Sequence, residues 1–170
     1  MVLLKKQTLK EIFLSENIQL IGISVIAFAV PFFFKQPQIV IGSIINFLLI
    51  MAVSKYEIKK ILPILFLPSI ASLLSGVLFG TFTLYLVYLI PFIVLSNLIY
   101  ILSFKYIHIK YLNTFLGALL KACFLFSCAY ILFDSIHIPE IFLTTMGIVQ
   151  FYTALIGGIT ASIFLSLKHK

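Results

Sequence analysis

Residues 111–133 read "YLNTFLGALLKACFLFSCAYILF", and Lys121 is the one formal charge among them. A helix needs about 20 mostly apolar residues to cross the hydrocarbon core of a bilayer. This stretch is long enough, so the lysine falls inside a predicted membrane span, where insertion scales put its cost at about 2.5–3.5 kcal/mol. At helical spacing Thr114, Gly117, Ala118, Lys121 and Cys128 share one face, bordered by Phe124 and Leu125. Small and polar groups in lipid turn toward neighbouring helices. Lys121 is therefore expected to face the interior of a bundle. It follows Tyr111 by ten residues, which places it about 15 Å into the membrane. Snorkelling back to the interface would require tilt or bilayer thinning. No Asp or Glu stands at comparable depth in any other apolar run. An interior cation then needs carbonyls, water or an anion.

The rest of the chain supplies the bundle. Of its 170 residues, 62% are hydrophobic and 10% charged, against about 45–50% and about 25% in soluble domains. Six runs are long and apolar enough to span: Ile18–Phe34, Gln38–Val53, Ile61–Phe79, Thr81–Phe104, Tyr111–Phe133 and Met146–Leu167. "KQP" at 35–37 reads as a tight turn, and Gly80 with Thr81 reads as another. The predicted fold is an all-α, integral membrane six-helix bundle over residues 18–167. Residues 1–17 precede it as an interfacial segment, with a short surface helix over 3–17.

The net charge of +7 comes from lysine alone, since arginine is absent. Nucleic acid is a poor explanation, because the lysines sit in short clusters between apolar runs. Ten of them, at 5, 6, 10, 55, 59, 60, 105, 110, 168 and 170, fall on one side of the predicted membrane. The other side has Lys35, with Asp134 and Glu140. The positive-inside rule then makes both termini cytoplasmic in a multi-pass protein of the cell membrane. His137, in the external stretch "DSIHIPE", reads as an ordinary loop histidine.

Other spans carry their own polar stripes. Gln38, Gly42 and Asn46 align on the second, and Ser69, Ser72, Gly76 and Gly80 on the third, where Pro63 and Pro68 predict a kink or break. Pro91, Ser96 and Asn97 mark the fourth. The sixth aligns Gln150, Ala154, Gly157, Gly158 and Ala161, and Ala154-xxx-Gly158 suits close helix approach. Such stripes are most often packing surfaces. Catalytic signatures are lacking: "LIGGIT" is not a phosphate-binding loop, and neither a Ser/His/Asp set nor HExxH occurs. Cys123 and Cys128 have no CxxC spacing or His partner, so no metal or cofactor is expected. The chain does not read as an enzyme.

The stretches "QPQIVIGSIINFLLI", "IPFIVLSNLIYIL", "LLKACFLFS" and "VQFYTALIGGITA" resemble small six-span proteins related to the S components of energy-coupling factor (ECF) vitamin transporters. The nearest such relatives often carry the label "iron hydrogenase". The pattern falls on Gln38, Gly42 and Asn46; Pro91, Phe92, Ser96 and Asn97; Leu120 and Lys121; and Gln150, Thr153, Ala154, Gly157 and Gly158. A hydrogenase centre needs several cysteine ligands, and the two here share one span. The resemblance implies a substrate-binding subunit that takes up a vitamin-like or other micronutrient from outside. Lys121, Gln150, Asn46, Gln38, Asn97 and Thr153 are its expected binding residues. Its expected partners are a transmembrane coupling protein and cytoplasmic ATPases. In that family the first span offers an Ala-xxx-Ala surface to the coupling protein; here Gly22, Ser24, Ala27 and Ala29 give no clean repeat. The alternative is a membrane scaffold of the rod-shape-determining MreD type, which resembles it in size and fold.

Overall fold

The computed structural model describes residues 2–34, 37–76, 79–109 and 111–168, with side chains from Glu16 to Leu167. It is all-helical. The helices are α1 (Val2–Phe33), α2 (Gln38–Lys55), α3 (Ile58–Ser75), α4 (Leu86–Tyr106), α5 (Leu112–Ile136), α6 (Ile141–Met146) and α7 (Ile148–Lys168). Six segments are long and apolar enough to cross a membrane, which marks a multi-pass membrane protein. Lys35, Lys110 and Lys170, three of the charges used for orientation, lie outside the described residues.

Boundaries differ from the hydropathy reading where backbone chemistry overrides it. α1 is unbroken, so residues 3–17 continue the first spanning helix rather than forming a separate element. α3 keeps its helix through Pro63 and Pro68, which neither break nor end it. It stops at Gly76, whose φ of 66° is the left-handed conformation that ends helices and that glycine adopts without a Cβ penalty. The expected tight turn at 80–81 is instead a 3-10 turn over Gly80–Tyr85. Thr83 fastens it: its hydroxyl accepts from the Phe79 N–H at 3.3 Å, and its proton lies between the carbonyls of Gly80 (2.9 Å) and Gly76 (3.2 Å). α5 runs on to Ile136, so Asp134 is helical and the connection begins at His137. Met146 belongs to α6, and Gly147 separates it from α7.

The six long helices close a ring in the order α1, α3, α4, α5, α7, α2, back to α1. α6 folds against α5 and α7 at one end. The core has two parts. One surrounds Leu49, Ile64, Tyr100 and Ala154, toward the ends carrying Lys55, Lys59 and Lys105. The other, around Leu89, Leu125, Phe142 and Met146, lies under α6 at the lysine-poor end.

Two adjacent glycines on α7 close the ring on both flanks. A Cβ on Gly157 would collide with the α2 backbone at the Ser43 carbonyl and the Phe47 N–H. A Cβ on Gly158 would strike the Tyr100 hydroxyl and Thr114. Close approach on one side thus admits α2, and on the other α4 and α5. Gly157→Ala is expected to cost about 1–3 kcal/mol through overpacking against backbone that cannot yield. Gly22→Ala, where a Cβ meets nothing within 4 Å, should be neutral or slightly stabilising. Thermal unfolding of the detergent-purified variants, followed by circular dichroism, checks both.

Candidate functional site

The centre of the ring holds a cavity of about 90 Å³. Its walls come from the end of α1 (Pro31), the first turns of α2 and α7 (Gln38, Gln150), the last turns of α3 (Ser69, Ser72) and the start of α4 (Leu86), and the lining reaches the middle of α4 at Asn97. All these element ends lie at the lysine-poor face of the bundle, under the cap formed by α6 and the 3-10 turn. Phe79 and Phe142 meet there with ring centroids 4.7 Å apart.

Lys121 lines the cavity from α5 and is 2% exposed. It does not snorkel. Its Nζ donates to Asn46 Oδ1 at 2.6 Å and lies 5.4 Å from the centroid of the Tyr100 ring. The oxygen and the ring face stabilise an ammonium without supplying a negative charge. No carboxylate lines the cavity or stands within ion-pair distance of Lys121 among the described residues. The same residues contain no cluster of three or more His, Cys, Asp or Glu that could hold a metal.

Asn46 is held in turn. Its Nδ2 donates to the Gly42 carbonyl one turn back (2.8 Å) and to Thr153 Oγ1 on α7 (3.3 Å). The Thr153 hydroxyl donates to the Gln150 carbonyl at 3.1 Å. With its amide group committed this way, Asn46 keeps its carbonyl oxygen toward Lys121. Tyr100 is fixed by its hydroxyl, which donates to the Ala154 carbonyl at 2.6 Å. Asn97 Nδ2 reaches the Leu65 carbonyl on α3 at 3.4 Å.

The cavity brings together all six residues singled out in the sequence: Gln38, Asn46, Asn97, Lys121, Gln150 and Thr153. They divide by what their polar groups are doing. Asn46 and Thr153 are committed to holding the lysine and each other, whereas the side-chain amides of Gln38 and Gln150 make no hydrogen bond among the described residues. Sequence reasoning missed Tyr100. It stands three residues after Asn97, on the same helical face, and that spacing was its available signal. It also read Ser69 and Ser72 only as packing, although both line the cavity.

Removing the acceptor should expose the cost of the cation. Asn46→Leu is expected to destabilise by about 1–3 kcal/mol or more, because it leaves a buried ammonium short of its oxygen. Adding Lys121→Met should recover much of the loss, giving a coupling of about 0.5–3 kcal/mol in a double-mutant cycle of thermal unfolding. Additive losses would mean that the 2.6 Å bond does not hold the charge. No family model, curated protein or solved structure matches the chain.

Proposed function

We propose that this chain is a substrate-binding membrane subunit for uptake of a small molecule, a vitamin-like compound or other micronutrient, energised by a separate ATPase module. One observation carries the reading: a buried lysine with no carboxylate partner among the described residues lines a cavity at the lysine-poor end of a membrane bundle. Water in the cavity would solvate a structural lysine as well; what favours a binding site is that the unbonded amides of Gln38 and Gln150 line the same cavity. The lysine clusters orient that end outward under the positive-inside rule, with both termini in the cytoplasm. The site would then meet its substrate from outside. The chain has no phosphate-binding loop of its own, so energy would come from partners. The likeness to ECF S components supports the same division of labour.

Ligand pockets usually enclose about 300–1,000 Å³. At about 90 Å³ the cavity is contracted by comparison. A vitamin-sized substrate would enter by displacing α6 and the 3-10 turn, which meet through Phe79 and Phe142.

Native mass spectrometry of the gently purified protein tests the reading. A co-purified small molecule is expected. Lys121→Met should lower its retention ten-fold or more while the protein stays folded. A protein that carries no small molecule and instead co-purifies with cell-shape proteins would replace uptake with scaffolding. Orientation has a separate test in a background lacking Cys123 and Cys128. A single cysteine at Ser135 should react with an impermeant thiol reagent from outside intact cells, and one at Lys59 only after lysis.

A further inference from the structure

Three features of the cavity narrow its ligand, on the reading that the chain binds a small molecule there. The first is a set of unbonded hydroxyl and amide groups, each able to donate to a ligand. Ser69 and Ser72, 6% and 7% exposed, line the cavity, and neither hydroxyl has a hydrogen-bond partner among the described residues. Buried hydroxyls are ordinarily bonded, and in helices they usually bond back to a carbonyl one turn earlier. Ser96, Ser103 and Ser162 of this chain do so. Ser69 and Ser72, at the cavity, do not; the fully enclosed hydroxyl without a partner among the described residues is that of Ser43. The unbonded amides of Gln38 and Gln150 add further donors at its wall.

The second feature is charge. Lys121 contributes a single positive charge to the lining, and no Asp or Glu answers it. A monoanion would neutralise the site. A dianion would leave a net negative charge in a low-dielectric interior, which is costly. The third is size. A cavity of about 150 Å³ accepts benzene, so with α6 and the 3-10 turn in place the cavity of about 90 Å³ has room for fewer than six non-hydrogen atoms.

We propose that the cavity binds a short monocarboxylate of two or three carbons. Its carboxylate is received by Lys121 Nζ and by the hydroxyls of Ser69 and Ser72. Its short carbon tail lies against the apolar part of the lining, which includes Ile45, Ile93 and Met146. Tyr100, outside the lining, is a positioning residue that holds the ammonium, and Asn46, at the cavity wall, holds it through its side-chain oxygen. With four or five heavy atoms, such a ligand binds no tighter than the micromolar range.

The test is thermal unfolding of the purified full-length chain at constant ionic strength, set with sodium sulfate. Acetate, propionate, acetamide, benzoate, chloride and inorganic phosphate are each titrated to about ten millimolar, alongside native mass spectrometry of the same preparation. Acetate and propionate should raise the midpoint saturably by several degrees, while acetamide and benzoate leave it unchanged. Lys121→Met should weaken the acetate effect ten-fold or more. The paired variant Ser69→Ala/Ser72→Ala, which removes two unbonded hydroxyls and so should fold normally, should weaken it several-fold. An equal response to chloride or phosphate would overturn the carboxylate. An undiminished acetate effect in the serine variant would overturn the role of Ser69 and Ser72. A larger compound bound in the spectrometer, with no acetate response, would overturn the short-acid ligand and leave uptake standing. No small molecule and no response to any anion would overturn both.

Discussion

An ammonium group placed midway along a membrane-spanning helix has to be solvated by the protein itself. Here that constraint organises the middle of the bundle. Lys121 comes from α5, its oxygen from Asn46 on α2, and its aromatic face from Tyr100 on α4. The orientation of Asn46 depends on Thr153 of α7, and Tyr100 is anchored to the Ala154 carbonyl on the same helix. Four of the six long helices therefore meet around one charge. Their contacts with it are polar or aromatic, and none is a salt bridge. Such an arrangement tolerates a cation without neutralising it.

The packing that permits this is set by small residues on α7. Gly157 brings the α2 backbone close enough for Thr153 to reach Asn46, and Gly158 leaves room for the Tyr100 hydroxyl at the Ala154 carbonyl. The glycine pair and the polar network are thus one device. Replacing backbone proximity with side-chain volume would separate the groups that hold Lys121. Stability of the ring and geometry of the cavity are coupled through these two positions.

Much of this was legible in the sequence, for physical reasons that differ by element. Membrane spans announce themselves because lipid forbids exposed backbone and charge over a fixed thickness. The inward face of α5 was legible from Thr114, Gly117, Ala118 and Lys121, all buried in the structure. That face then continues over Leu125 and Ala129, while Cys128 lies at its edge, half-buried. The ends of α3 and α7 were not legible, because hydropathy is blind to a left-handed glycine at 76 and to the break at Gly147. The committed and free polar groups of the site could not be sorted either. Whether a serine bonds its own helix or faces a cavity depends on the side-chain rotamer and on the neighbouring helix. Spacing along one chain does not encode that.

The order of helices around the ring has a consequence for how the protein is made. α2 packs against α7, which is synthesised after every other helix described here, and α1 packs more extensively against α3 than against α2. Asn46 is already in the membrane when α5 arrives, so Lys121 enters lipid with its acceptor waiting. The clamp from Thr153 on that acceptor comes only with α7. By chain order, a chain cut short after α5 would carry Lys121 together with its acceptor but lack the wall of the cavity that α7 supplies.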